Sequence, residues 1–151
     1  MSPQLRYGLI GGVICSISYL SILHSSLGKM VNPLVNSNFL LVLGCLLVVL
    51  IFALLKVKKL SGALDFGTAL KVGLAVTIVT GVILSFSCFM YLHWINPSWF
   101  AMQKVYWVSN HAKIPPRPTA WQASLFVMIV NNIPGSVLSL ILALILKSRS
   151  K

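Results

Sequence analysis

The fold of this chain follows from the stretch LKVGLAVTIVTGVILSFSCFMYLHWI at residues 70–95. After Lys71 the stretch contains no Asp, Glu, Lys or Arg, and it exceeds the roughly 20 residues with which an α-helix crosses the core of a bilayer. A membrane interior offers no water to the backbone, so such a segment must be helical to satisfy its own N–H and C=O groups. We therefore predict a transmembrane helix over residues 70–95.

Three more apolar stretches lie at residues 7–23, 39–55 and 123–146. The chain has 151 residues, of which 58% are hydrophobic and only 9% are charged, whereas a soluble domain carries roughly 25% charged residues. So few charged side chains cannot cover the surface of a soluble protein. We predict an all-α, polytopic membrane protein with four transmembrane helices in a single domain over residues 1–151.

The distribution of basic residues predicts how the four helices are oriented. An even number of spans places both termini and the second loop on the same side of the membrane. That side carries Arg6, Lys56, Lys58, Lys59, Lys71, Lys147, Arg149 and Lys151. The opposite side carries Lys29, Lys104, Lys113 and Arg117. Because the side richer in Lys and Arg faces the cytoplasm, we predict an N-in/C-in topology.

The third loop, residues 96–122, is the longest segment outside the predicted spans and lies on the outer side. It begins with Asn96-Pro97, which ends the preceding helix, and its aromatic side chains then recur at helical spacing. A short helix with an aromatic face lies in the membrane–water interface, so we predict one in this loop. The predicted interfacial anchors are Trp99, Tyr106, Trp107 and Trp121. The alternative is that the loop forms a lid over a binding site.

Small residues recur every four positions in three of the predicted helices. They are Gly8 and Gly12, then Gly73, Thr77 and Gly81, and finally Gly135 and Ser139. Small side chains let helices approach closely in lipid, which serves packing within the bundle as well as docking of another membrane protein. Residues 39–55 are rich in Leu and Val, and we expect this helix to face lipid more than the other three.

The fourth predicted helix contains a polar group formed by Asn131, Asn132 and Pro134. Adjacent residues point about 100° apart on a helix, so we do not expect both amides to face lipid. We interpret them first as partners for hydrogen bonds to the third helix. The candidate partners there are Thr77, Thr80 and Ser85. The alternative is a polar cavity or a ligand site, next to a kink at the proline.

The single acidic residue, Asp65, excludes much of the known catalytic chemistry. Glycosidases need two carboxylates, and a carboxylate proton relay needs acids inside the helices. Asp65 precedes the third helix, where we predict that it caps the helix N-terminus. We predict that the protein is not an enzyme and that it has no catalytic residue and no cofactor.

The cysteines, the histidines and the net charge indicate neither a metal site nor a nucleic-acid partner. Cys15, Cys45 and Cys88 lie inside the predicted spans without a CxxC pattern, and the histidines lack the spacing of metal ligands. The formal net charge of +11 suggests nucleic acid only where basic residues cover a soluble surface. Here they lie at helix ends, so the expected partners are membrane lipids, including anionic headgroups.

Four stretches of the chain carry a resemblance to a known family. They are RYGLIGG at residues 6–12, DFGTALKVG at 65–73, Asn96-Pro97, and SLILALILK at 139–147. In these stretches the chain resembles the small four-helix bacterial inner-membrane proteins that are grouped as a domain of unknown function and are common in Bacteroidota. The family often has Asp where this chain has Asn96. The resemblance implies a four-helix membrane fold and brings no catalytic residue.

These observations lead to two functional expectations. The first is a non-catalytic accessory or assembly subunit of a larger inner-membrane complex, bound to another membrane protein or to a second copy of itself. The alternative is a small oligomeric carrier or channel whose polar site lies on the fourth helix, since broken helices at mid-membrane mark the sites of transporters.

Overall fold

A computed structural model describes residues 2–25, 37–101 and 119–147 of the chain. This part of the molecule contains four long helices, which we name in chain order. They are α1 (Pro3–Ser25), α2 (Ser37–Ser61), α3 (Phe66–Met90) and α4 (Ala120–Leu146). Each is long and apolar enough to cross a membrane. The prediction of an all-helical chain with four candidate membrane spans is thereby confirmed.

All four helices extend beyond the predicted spans, and α4 begins at Ala120 rather than Ala123. Thr119 and Gln122 form a capping box, in which the Gln122 amide donates to the Thr119 hydroxyl and the Thr119 amide donates to the Gln122 side chain. These two bonds satisfy N–H groups that a helix end leaves free. Residues 120–122 therefore belong to α4 and not to the outer loop.

At its other end, α3 continues directly into a π-helical turn, Tyr91–Ile95. The Asn96 amide closes this turn by donating to the Tyr91 carbonyl at 2.7 Å. A turn at Pro97–Ser98 follows, and residues 99–101 are again helical. The rest of the predicted interfacial helix lies outside the described residues.

The contact between α1 and α3 shows that these two helices run parallel. Gly8 of α1 lies against Val79 of α3, and Gly12 lies against Ile83. The residue numbers therefore increase in the same direction along both helices. The approach is close, because a Cβ placed on Gly12 would lie 2.6 Å from the Cβ of Ile83.

The contact between α3 and α4 shows the opposite direction. Gly73 lies against Ser139, and Gly81 lies against Asn132, so the chain numbers run in opposite senses. Helix α3 therefore packs between α1 on one side and α4 on the other, and it is the most buried of the four described helices.

The position of α2 corrects one expectation, since this helix does not face lipid more than the others do. In the most apolar stretch of α2, 39% is buried inside the bundle, compared with 33% in α1 and 28% in α4. A row of bulky side chains at every fourth position is buried, namely Val42, Leu46, Leu50 and Leu54. The physical reason is that Leu and Val fill the space beside helices whose own contact faces are small.

The ends of α2, α3 and α4 meet at the basic end of the bundle. The Lys58 ammonium donates to the carbonyl of Leu146 at 3.3 Å, so α2 and α4 end side by side. Before α3, Gly62 adopts a left-handed backbone with φ of 73°, a conformation that glycine adopts without strain. Leu64 is fully buried there, which fixes the start of α3.

Asp65 caps α3 as predicted. Its carboxylate accepts a hydrogen bond from the Thr68 amide at 2.8 Å. Hydrogen bonds from Thr68 hold the pKa of this carboxyl below its ordinary value of 3.8, because they favour the ionised form.

We expect Asp65→Ala to lower the midpoint of thermal unfolding in detergent, because it removes the cap, and Asp65→Asn to retain most of it. Since the pKa is lowered in the folded protein, the ionised carboxylate stabilises the fold above the ordinary pKa, and this contribution is lost as the pH falls through the lowered one. The difference between the wild type and Asp65→Asn should therefore shrink on acidification below pH 3.8. An equal midpoint for Asp65→Ala and the wild type at neutral pH would contradict the capping role.

Candidate functional site

The buried hydroxyl groups of the α3–α4 interface bond to each other and to the backbone. The Ser139 hydroxyl donates to the Gly135 carbonyl at 2.8 Å and lies 3.2 Å from the hydroxyl oxygen of Thr77. Because the one proton of Ser139 is used for Gly135, Thr77 donates to Ser139. Both side chains are fully buried, so this pair holds the half of the α3–α4 interface nearer the basic end of the bundle without an exposed polar atom.

The remaining hydroxyls of α3 are engaged elsewhere. The Thr80 hydroxyl donates to the Gly8 carbonyl of α1 at 3.2 Å, and the Ser85 hydroxyl donates to the Ser124 carbonyl of α4 at 2.9 Å. The first interpretation is wrong for both amide atoms of Asn131 and for the Oδ1 atom of Asn132, none of which has a hydrogen-bond partner among the described residues. Thr77 donates to the Ser139 hydroxyl, and Thr80 and Ser85 donate to backbone carbonyls.

Asn131 is one of the buried polar side chains without a hydrogen bond among the described residues, as are Ser16 and the indole of Trp99. Only 2% of Asn131 is exposed, and neither its Oδ1 nor its Nδ2 has a hydrogen-bond partner in the part of the chain that the structure describes. Gly135 lies against Thr77, so Asn131, one turn earlier on α4, lies level with Gly81 on the antiparallel α3. The amide is thus placed well inside the bundle and away from its ends.

Asn132 lies beside it and faces the edge of the same interface. Its amide packs on Gly81, where a Cβ would come within 2.7 Å of both its Oδ1 and its Nδ2. The Oδ1 atom is buried and has no partner among the described residues. Asn131 and Asn132 together form what we call the asparagine pair, two neutral amides at the centre of the described bundle.

Pro134 and the surface around it form an apolar groove between α2 and α4. Its volume is about 580 Å³. It is lined by Leu40, Leu43, Gly44, Leu47, Pro134 and Val137, among others. We call it the α2–α4 groove. On the other side of α4 a second depression of about 490 Å³ is lined by Asn132, Ser136 and apolar neighbours.

The seven small residues singled out in the sequence all lie at contacts within the bundle. Gly8 and Gly12 of α1 pack against α3, and Gly73, Thr77 and Gly81 of α3 pack against α4. Gly135 and Ser139 of α4 complete the second contact. None of the seven is part of an outward-facing surface, so in this structure they serve packing.

The predicted aromatic anchors occupy different environments. Trp121 lies in the first turn of α4, is 61% exposed and meets the edge of Phe89 at 6.2 Å. Trp99 is half-buried and packs edge-on against Phe100 at 5.3 Å. Tyr106 and Trp107 lie outside the described residues.

A hydrogen-bonded cluster at this end was missed by the sequence analysis. The Nδ1 atom of His24 lies 3.1 Å from the Tyr91 hydroxyl, which also accepts a bond of 3.4 Å from the Asn96 side chain. Nearby, His93 stacks on Phe89 at 5.2 Å. Each residue is unremarkable in the sequence. The parallel packing of α1 on α3 places His24 beside Tyr91, and the π-helical turn places Asn96 there. Within the described ranges, no three His, Cys, Asp or Glu side chains group as metal ligands.

With this geometry in place, the family can be assigned. A family model described as "Protein of unknown function (DUF4199)" matches residues 6–148. The chain belongs to this family. The match confirms the resemblance seen in the four sequence stretches, while the occurrence in Bacteroidota stays a prediction. No curated protein and no solved structure matches this DUF4199 protein.

We expect Asn131→Leu to stabilise the DUF4199 bundle, because Leu is close to Asn in shape and has no polar atom to leave without a bond. The gain should be about 1–3 kcal/mol, the cost of a buried group whose hydrogen bonds are not made. Unfolding in detergent at constant protein and detergent concentration measures it.

Ser139→Ala is the matched control for this prediction, since it removes a buried polar side chain whose bonds to Thr77 and Gly135 are made. We expect it to destabilise the bundle. A loss of stability for Asn131→Leu comparable to that for Ser139→Ala would show that the Asn131 amide has a partner in the folded protein.

Proposed function

We propose that this DUF4199 protein is a non-catalytic accessory or assembly subunit of a larger complex in the bacterial inner membrane, where it binds a transmembrane helix of another membrane protein. The observation that supports this most is the outward surface of α4. Since the small residues of the sequence are used inside the bundle, a partner must bind elsewhere, and this surface has the required shape.

The outward surface of α4 consists of a ridge with a depression on each side. Ile133 and Val137 form the ridge, at 64% and 52% exposure, and both line the α2–α4 groove and the depression at Asn132. Helices pack by fitting the ridges of one into the grooves of another. Without a hydrophobic driving force in lipid, this fit is what favours association.

Gly44 makes the α2–α4 groove deep enough for a helix. A Cβ placed there would meet no atom within 4 Å in the described part of the chain, so the α2 backbone is open to an approaching partner. Close backbone approach at a small residue is typical of helix interfaces in membranes. The other side of α4 offers Ser136 and Asn132 for polar contacts to the same partner.

The orientation that we propose is N-in/C-in. The described residues support this orientation at the basic end of the bundle. The exposed basic residues there are Arg6, Lys56, Lys59, Lys71 and Lys147. Such residues favour the cytoplasmic side and attract anionic lipid headgroups, which we propose as a second class of partner. The basic residues of the opposite side lie outside the described part of the chain.

Gly44→Leu is expected to displace the partner by filling the groove. Tagged protein is extracted from its native membranes in mild detergent or nanodiscs, and co-eluting proteins are quantified by mass spectrometry. We expect a stoichiometric membrane partner with the wild type and loss of most of it with Gly44→Leu. Folding should be retained, because the added side chain meets open space and Leu favours helix over Gly.

The control for this experiment is Val48→Leu, one turn further along α2 at a position that is 52% exposed. It alters an exposed side chain that does not line the groove, so we expect the partner to be retained. A wild-type protein that elutes only as a lone monomer would contradict the proposal. So would equal amounts of partner with Gly44→Leu and Val48→Leu.

A second candidate function is a small oligomeric carrier or channel, and the asparagine pair favours it. The two neutral amides lie inside the bundle next to a proline of the continuous helix α4, and transporters place their substrate sites inside the bundle near such weakened points of a helix. The apolar stretches contain no acid or base in their interior, so the transported species would be neutral.

This second candidate is tested with water and glycerol as the transported probes. Stopped-flow light scattering of proteoliposomes under an osmotic gradient measures both fluxes. The carrier function predicts a flux above that of protein-free vesicles, which falls to their level when Asn131→Leu and Asn132→Leu are combined. Ile129→Val, an exposed position on the same helix, should leave the flux unchanged. Equal flux for the double variant and the wild type would remove this candidate.

A further inference from the structure

The Asn131 amide and Pro134 lie within one turn of each other on α4. Proline has no N–H, so the carbonyl of Val130 lacks its usual helical donor. The turn that carries the isolated amide therefore also lacks one backbone hydrogen bond. Helices bend most readily at such a position.

The surroundings of this turn leave space for a bend. Pro134 lines the α2–α4 groove, so open space adjoins the backbone of α4 at this turn. Helix α4 also has the smallest buried share of the four described helices, 28% compared with 44% for α3. The first half of α4 is joined to α3 by a hydrogen bond that the Ser85 hydroxyl donates to the Ser124 carbonyl.

We propose that Asn131 is a binding site for a small neutral molecule that both donates and accepts hydrogen bonds, water being the smallest, and that the site opens when α4 bends at Pro134. The amide offers Nδ2 as donor and Oδ1 as acceptor, and both atoms lack partners within the described bundle. Bending lets water reach the amide and satisfy both atoms. The closed bundle in the structure is the other position of the same hinge.

The charge of the surroundings sets the ligand class. Between residues 72 and 95 of α3 and its π-helical turn, and between 120 and 146 of α4, the sequence has no Asp, Glu, Lys or Arg. An ion would thus lose its hydration without gaining a counter-charge, whereas a neutral hydrogen-bonding molecule gains two bonds. This inference supplies the site that the carrier function requires, but it does not depend on transport.

The test is thiol labelling at position 131. Asn131→Cys protein in nanodiscs is treated with a charged methanethiosulfonate reagent, which reacts in water, and each labelled site is quantified by mass spectrometry. The native thiols of Cys15 and Cys88, 0% and 1% exposed, are internal controls in the same sample. We expect the thiol introduced at position 131 to react roughly ten-fold faster than these two, because it is exposed by a local opening.

Two variants separate the hinge from general loosening of the bundle. Ala143→Cys places a thiol at a fully buried position of α4 on the other side of Pro134, and we expect it to react as slowly as Cys15. Adding Pro134→Ala to Asn131→Cys restores the backbone donor and should slow labelling at position 131 by roughly ten-fold. Labelling at position 143 should not change when Pro134→Ala is added there.

Hydrogen exchange of the otherwise unmodified protein provides a second measurement, which does not require the cysteine variants to fold. Peptides from residues 127–133 should exchange faster than peptides from residues 76–84 of α3, and Pro134→Ala should remove the difference. Equal labelling at positions 131 and 143, or no effect of Pro134→Ala on either measurement, overturns the proposal. Fast labelling at position 131 with no flux of water or glycerol would leave this site in place and remove the carrier function.

Discussion

The close approach of α3 to both α1 and α4 is the contact on which the rest of the bundle depends. In lipid, apolar side chains gain little from meeting each other, so association relies on close fit and on hydrogen bonds. Gly12 against Ile83 and Gly73 against Ser139 bring the backbones near enough for both. The bond from Thr80 to the carbonyl of Gly8 is a direct result, because a side chain this short reaches a neighbouring backbone only at close range.

The same close approach explains why the asparagines are left without their expected bonds. Short hydroxyl side chains donate to nearby carbonyls, as Ser85 donates to Ser124, so their protons are not available to the Oδ1 atom of an amide. Asn132 packs flat on Gly81 instead. The tight fit that stabilises the α3–α4 interface thus places a polar group where its hydrogen-bonding capacity is not used.

Much of the fold could be predicted from the sequence, because the strongest signals were local. The apolar stretch at 70–95, the cap at Asp65 and the small residues of α1 and α3 each depend on a few neighbours in the chain, and the structure bears them out. The burial of α2 could not be predicted this way. Its Leu-rich row looks the same whether it meets lipid or other helices, and only the contacts decide.

Prediction of the site was limited in the same way, because hydrogen bonds between helices leave no local signal in the sequence. The sequence showed that Asn131 and Asn132 are polar residues in an apolar helix, but a bonded amide and an isolated amide have the same sequence. The cluster of His24, Tyr91 and Asn96 gave no signal at all, since it depends on the packing of α1 against α3 and on a π-helical turn. In contrast, the capping box of Thr119 and Gln122 was present in the sequence and was overlooked.

The bond between Lys58 and the end of α4 gives the bundle a mechanical asymmetry. It joins α2 and α4 at the basic end, so the part of α4 beyond Pro134 is bonded to both α2 and α3, whereas the part before it is bonded to α3 through the Ser124 carbonyl and is displaced by any bend at Pro134. Ala120 lies roughly 20 Å from Pro134 along the helix axis, and a bend of about 10° there moves it by roughly 3.5 Å. A small bend at one proline thus produces a larger displacement of the helix start, next to Trp121.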